Sequence, residues 1–260
     1  MLQYSELFLR WVHIVAGVIW IGHLYFFNFV NANFAPTMDG ETKKKVVPQL
    51  MPRALFWFRW GAAWTWLTGF ALLFLVYYQG YSGSNLVDLN RHSDPVTAMT
   101  WLPAFLGLFV GFLVYDLLFK ALAKQHNVAV VLWGLVAIGF GLGLYEVLHY
   151  SQRAAYIHVG ALFGTAMAAN VWMRIWPAQR RIITAVKEDK TPDAADPALA
   201  GLRSKHNTYM SVPLLLFMLL PDQIGKVADI PVYGLLPGIL IVAFGATWWI
   251  YGKAKTVQGF

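Results

Sequence analysis

Apolar residues in this chain come in long runs and not in strict alternation. Seven stretches are poor in charge: Leu7–Phe29, Ala54–Tyr78, Trp101–Leu122, Val128–Tyr150, Ala154–Trp176, a shorter one near His206–Leu220, and Val232–Tyr251. A helix needs about 20 mostly apolar residues to cross the hydrocarbon core of a bilayer. Each run therefore predicts a membrane helix; the sixth is the shortest and contains Pro213. The first run is followed by others and carries no small-residue cleavage site, which predicts a retained helix and not a signal peptide.

The polar stretches between the runs supply an independent check. Lys43, Lys44, Lys45, Arg53, Lys120, Lys124, Arg174, Arg180, Arg181, Lys187, Lys190, Arg203, Lys205, Lys253 and Lys255 fall after runs one, three and five and at the C-terminus. Only Arg10, Arg91, Arg153 and Lys226 fall on the alternate side. Cytoplasmic loops carry the excess of Lys and Arg. The predicted fold is thus an all-α integral membrane protein, a seven-transmembrane-helix bundle with its N-terminus outside and its C-terminus cytoplasmic. It forms one transmembrane domain over 1–260, with a cytoplasmic linker at 177–205 and an outer loop at 79–100. No internal repeat is visible.

Composition narrows the chemistry. Of 260 residues, 58% are hydrophobic and 13% charged, against about 25% charged in a soluble domain. The net charge of +7 belongs to loops, so it reads as topology signal and contact with anionic lipid, not nucleic acid. Zero cysteines exclude, within this chain, a disulfide framework, thiolate metal sites and C-x-x-C-H haem attachment.

What remains is histidine. His13 and His23 lie inside the first run, His149 and His158 flank the turn between the fourth and fifth, and His206 opens the sixth. Ionisable groups in hydrocarbon are functional candidates by default, and imidazole is a usual axial ligand of haem iron. At about 1.5 Å per residue, His13, His149 with Glu146, and His158 fall in an outer layer, and His23, Asp116, Arg59 and His206 in an inner one. His13 and His158 come to similar depths, which makes them the leading pair of b-type haem ligands. Gly17, Gly160 and Gly164 offer room for a flat ring, or equally a small-residue stripe for helix packing, continued by Ala168. Arg59 and Asp116 are candidates for a catalytic pair or a structural ion pair. His92 and His126 read as ordinary loop residues.

Several strings resemble one family. Trp11-Val-His-Ile-Val-Ala-Gly-Val-Ile-Trp-Ile-Gly22 resembles the first helix of the membrane-bound urate oxidase (urate hydroxylase) family, bacterial enzymes with an N-terminal membrane domain and a C-terminal cytochrome c. Trp64-Thr-Trp-Leu-Thr-Gly-Phe-Ala71 and Tyr115-Asp-Leu-Leu are similar to its second and third helices. His158-Val-Gly-Ala-Leu-Phe-Gly-Thr-Ala-Met-Ala-Ala-Asn170 with Pro177-Ala-Gln-Arg-Arg181 is similar to its fifth, and Arg203-Ser-Lys-His-Asn-Thr-Tyr209 to the start of its sixth. The matches run in order over nearly the whole chain. The resemblance implies redox work in a bacterial cytoplasmic membrane and marks His13, Asp116, His158, Asn170, His206 and Asn207; it does not extend to His23.

Two departures bear on the reaction. No fused cytochrome c is present, so the implied electron acceptor is a separate cytochrome c or the quinone pool. The first connection also lacks the Gly-rich, His-bearing stretch expected of urate-oxidising members. The leading expectation is a membrane redox protein of urate hydroxylase type holding haem b. An electron-transfer or anchor subunit working with other respiratory membrane subunits is the alternative. A proton or ion transporter using Asp116, Arg59 and the histidines is the reading from a different class.

Overall fold

The computed structural model describes residues 2–79, 86–92 and 94–257. Part of the expected outer loop (80–85 and 93) lies outside the described residues. Among those described, the chain is helical apart from turns and one antiparallel bridge, Val87 to Tyr150. The α-helices are α1 (Leu2–Tyr25), α2 (Ala32–Phe34), α3 (Gly40–Leu73), α4 (Ala98–Ala121), α5 (His126–Glu146), α6 (Gln152–Asn170), α7 (Trp176–Lys187), α8 (Ala195–Gln223) and α9 (Val232–Ala254). Three of them pass directly into π-helical turns: α1 into Phe26–Asn31, α3 into Phe74–Tyr78, and α6 into Val171–Ile175.

Among the described residues, six helical stretches are long and apolar enough to cross a membrane: Gln3–Thr37, Gly40–Tyr78, Ala98–Ala121, His126–Glu146, Gln152–Lys187 and Val232–Ala254. These cover six of the seven expected runs. The sixth expected run differs. It is no short segment but part of α8, a 29-residue helix that continues through Pro213 and Pro221. Its polar residues lower its hydropathy: Arg203, His206, Asn207, Thr208 and Ser211 all sit on it and all are buried. The hydroxyls of Thr208 and Ser211 bond back to carbonyls of their own helix, at 3.1 and 2.8 Å. The expected linker at 177–205 is also largely helical, because α7 fills its first third and α8 begins at Ala195.

Local chemistry explains several boundaries. Asp39 caps α3, its carboxylate accepting from the Thr42 N–H at 2.8 Å and the Thr42 hydroxyl at 3.0 Å. These bonds hold its carboxyl below the usual carboxylate range. Thr97 and Thr100 cap α4 reciprocally. Between α5 and α6 the chain turns at His149, whose φ of 54° is a left-handed value for a residue with a side chain.

The chain divides into two compact units. The first comprises Met1–Leu9, Gly69–Ala166 and Val212–Phe244, and the second Arg10–Thr68, Met167–Ser211 and Gly245–Phe260. In the first, α5, α6 and α9 meet at Gly141, where a Cβ would stand 2.5 Å from Leu236 Cδ1 and 2.8 Å from Val159 Cγ2. In the second, α1 and α3 cross at Gly61, where a Cβ would lie 3.0 Å from the Trp20 backbone nitrogen and 3.2 Å from the Ala16 carbonyl. Also in the second unit, Arg181 on α7 grips Asp196 on α8 through a forked pair of bonds, and this lowers the Asp196 carboxyl below its ordinary range.

Candidate functional sites

The first unit carries a histidine locked among phenols. His158 on α6 is fully buried. Its Nδ1 lies 2.7 Å from the Ala154 carbonyl, which can only accept, so Nδ1 carries the proton and Nε2 the lone pair. Tyr78 donates its hydroxyl to that Nε2 at 2.8 Å. The π-helical turn delivers Tyr78: the Gln79 N–H reaches back five residues to the Phe74 carbonyl at 2.9 Å. Such insertions rotate the residues beyond them and are frequent at functional sites. Trp101 stacks on the Tyr78 ring, with centroids 5.0 Å apart and planes 14° apart. Tyr150 flanks the imidazole edge-on at 5.5 Å and donates its hydroxyl to the Thr100 carbonyl. The Val87 bridge holds Tyr150 in place, with Ser151 N–H on the Leu86 carbonyl and Asp88 N–H on the His149 carbonyl.

The small residues beside His158 are packing contacts. A Cβ on Gly160 would come within 3.0 Å of Met218 Cε and 3.1 Å of Phe217 Cβ, and one on Gly164 within 3.4 Å of Leu214 Cδ1. Side chains of α8 thus fill the face expected to admit a porphyrin. Elsewhere in this unit, buried Asp116 pairs with Lys120, one turn along α4, at 2.7 Å. The carboxylate expected to answer Arg59 therefore has a local cation. Glu146, expected on the same face as His149, pairs with Arg91 at 2.8 Å.

The second unit holds several polar constellations among the described residues. His13 on α1 has Nδ1 3.1 Å from the Thr68 hydroxyl on α3. That hydroxyl donates to the Trp64 carbonyl at 2.6 Å, so it accepts from His13 and leaves Nε2 as the lone-pair nitrogen. His23 reaches the same tautomer through its own helix, with Nδ1 2.7 Å from the Ile19 carbonyl. Asn170 and Asn207, both fully buried, bond directly: Asn170 Nδ2 donates to Asn207 Oδ1 at 2.9 Å, and Asn207 Nδ2 to the Met167 carbonyl at 3.0 Å. His206 is buried beside them in sequence on α8.

A further constellation centres on Asn28, which the sequence analysis does not single out. Its amide donates to the Leu24 carbonyl at 2.9 Å and to Ser204 at 2.7 Å, and accepts from the Tyr251 hydroxyl at 3.0 Å. Nearby on the same helices, Tyr25 and Ser211 share a hydrogen bond of 3.0 Å. A lone Asn in the first apolar run was the available signal. Tyr78 gave no comparable signal, since the π-helical turn that aims it has no sequence mark.

Each expected depth layer draws residues from both compact units. His149, His158, Glu146 and Asp116 belong to the first unit, while His13, His23, Arg59, Asn170, His206 and Asn207 belong to the second. Among the described residues, no three His, Asp or Glu side chains form a metal-holding group. His126 opens α5 with its ring 5.7 Å from Phe119.

Long apolar helices enclosing imidazole, amide and phenol groups define the class: a helical protein compatible with multiple membrane crossings, carrying polar clusters in its packed interior. Within it, the chain belongs to the urate oxidase N-terminal family, whose model matches residues 1–44 and 38–225. No curated protein and no solved structure matches the chain.

Proposed function

We propose that this protein is a membrane redox component of urate hydroxylase type, with seven spans, its N-terminus outside and its C-terminus in the bacterial cytoplasm. In this reading it holds b-type haem and passes electrons to a separate cytochrome c or to the quinone pool. Family membership supports the urate hydroxylase-like membrane domain. The observation that carries the cofactor is at His13. Thr68 fixes its Nδ1–H, and an imidazole oriented this way through one nitrogen offers the other to a metal. His13 is half-buried on α1, and its Nδ1 bond to Thr68 leaves Nε2 as the lone-pair nitrogen.

The donor chemistry fits haem at His13 and fits it poorly at His158, whose Nε2 is taken by Tyr78 and whose neighbouring glycine face is filled. His23, with Nδ1 on Ile19, has the competent tautomer as well. His149 and His206 complete the candidate set. Bound haem would supply one-electron transfer. His13 would hold it, with Thr68 setting the tautomer of that imidazole.

The test is the reduced-minus-oxidised absorbance of the detergent-purified protein from haem-replete cells. A b-type spectrum is expected, lost in His13→Ala. A colourless protein overturns the haem assignment. Urate-dependent reduction of cytochrome c by membranes then separates an enzyme from an electron-transfer or anchor subunit.

A further inference from the structure

The buried and half-buried charges of this chain are answered in different ways. Asp116 has Lys120 and Asp196 has Arg181. Arg59 on α3 has no carboxylate partner among the described residues; its contacts are aromatic. Its guanidinium lies over Trp176 at 3.9 Å and beside Phe56 at 5.8 Å. Its Nε is shut away from solvent without a hydrogen-bond partner. The Arg59 carbonyl accepts from Trp172 Nε1 at 3.1 Å, and Trp60 packs edge-on against Trp172 at 5.6 Å. The π-helical turn Val171–Ile175 and the start of α7 therefore clamp the backbone and the side chain of Arg59 together. A planar cation held in this way keeps its terminal N–H groups as a preset fork, the geometry that matches a phosphate.

The neighbouring sequence says which phosphate. On α3, Lys43, Lys44, Lys45 and Arg53 precede Arg59, and no charged residue follows before Tyr78. On the other segment, no Asp, Glu, Lys or Arg occurs between Arg153 and Arg174, after which Arg180, Arg181, Lys187 and Lys190 follow. Charge thus stops at the same cluster on both segments, where Trp57, Trp60, Trp172 and Trp176 gather. Tryptophan concentrates at headgroup level, and cationic segments there meet anionic lipid. Exposed Phe56, Trp57, Trp60 and Met173 give the cluster an apolar flank suited to acyl chains.

We propose that Arg59, laid flat on Trp176, is a binding site for the phosphate of an anionic phospholipid. A free anion would have no use for the apolar flank. The site stands independently of the redox reading.

Native mass spectrometry of the full chain in detergent, titrated with phosphatidylglycerol and with phosphatidylcholine, tests it. The first phosphatidylglycerol is expected to bind about tenfold more tightly than phosphatidylcholine, because the fork meets a net anionic headgroup. Arg59→Gln should erase that preference, and Arg59→Lys should retain only part of it, since an ammonium neither forks nor stacks in the same way. Trp176→Leu, which keeps the charge and removes its platform, should weaken the preference and provides the reading if Arg59→Gln does not fold. Equal phosphatidylglycerol preference in wild type and Arg59→Gln, or in wild type and Trp176→Leu, overturns the proposal. Displacement of the lipid by an equal concentration of inorganic phosphate overturns the lipid assignment.

Discussion

Hydrogen-bond direction decides what each candidate histidine can do. At His158 both ring nitrogens are engaged, one by a carbonyl of its own helix and one by Tyr78. Tyr78→Phe would leave Nε2 buried without a donor, and such a loss costs about 1–3 kcal/mol. Denaturant titration in detergent should show the variant less stable than wild type by that order, and an unchanged midpoint would mean the bond is dispensable. Asn207 is engaged at both ends of its amide. Asn207→Leu strips a donor from the Met167 carbonyl and an acceptor from Asn170, so it should cost more than Asn207→Gln in the same measurement. His13 was legible as a candidate from its place in an apolar run. Which of its nitrogens is committed was not, because Thr68 lies 55 residues away in sequence.

Elements are set by where backbones approach and how helices end. Gly61 lies against the backbone of α1, which cannot rotate aside as a flexible side chain would. Gly61→Val should push α1 from α3 and lower the thermal midpoint, whereas Gly134→Ala, with open space at its Cβ, should leave it nearly unchanged. Helix pairing across 188–194 rests on Arg181 and Asp196. A carboxyl whose folded pKa is depressed contributes stability that is present above its unfolded value and lost as pH falls through the folded one. Hydrogen-exchange protection of 181–200, corrected for intrinsic rates, should therefore fall below about pH 4. In Asp196→Asn it should already be low at neutral pH. The runs of apolar residues made most helices legible. They marked only the later part of α8, because its earlier part carries Arg203, His206 and Asn207 on buried positions and does not look apolar.

For the whole molecule, the absence of cysteine makes crossing number and orientation directly measurable. Single cysteines at exposed Leu89 and Lys190 lie on opposite sides in the proposed seven-span arrangement. In intact cells an impermeant maleimide should label Leu89→Cys and spare Lys190→Cys, with both labelled after permeabilisation. Labelling of both in intact cells would break the arrangement. The burial pattern agrees with a membrane setting. In Gln152–Lys187 the most apolar window is 78% buried, against 17% in Gln3–Thr37, so some helices are enclosed while others present apolar side chains outward.

Length and hydropathy alone were enough for helices, their approximate limits, and the identity of the polar residues too expensive to bury without purpose. Order along the chain was enough to resemble one family, and the family match agrees. Pairing was decided only in three dimensions. Asp116 took Lys120, Arg59 took Trp176, His158 took Tyr78, and Asn28 joined Ser204 to Tyr251. The physical reason is that a sequence states which groups must find partners, while the partner depends on rotation about helix axes. Here that rotation is reset by π-helical turns after α1, α3 and α6, and a one-residue insertion there changes which side chain faces inward.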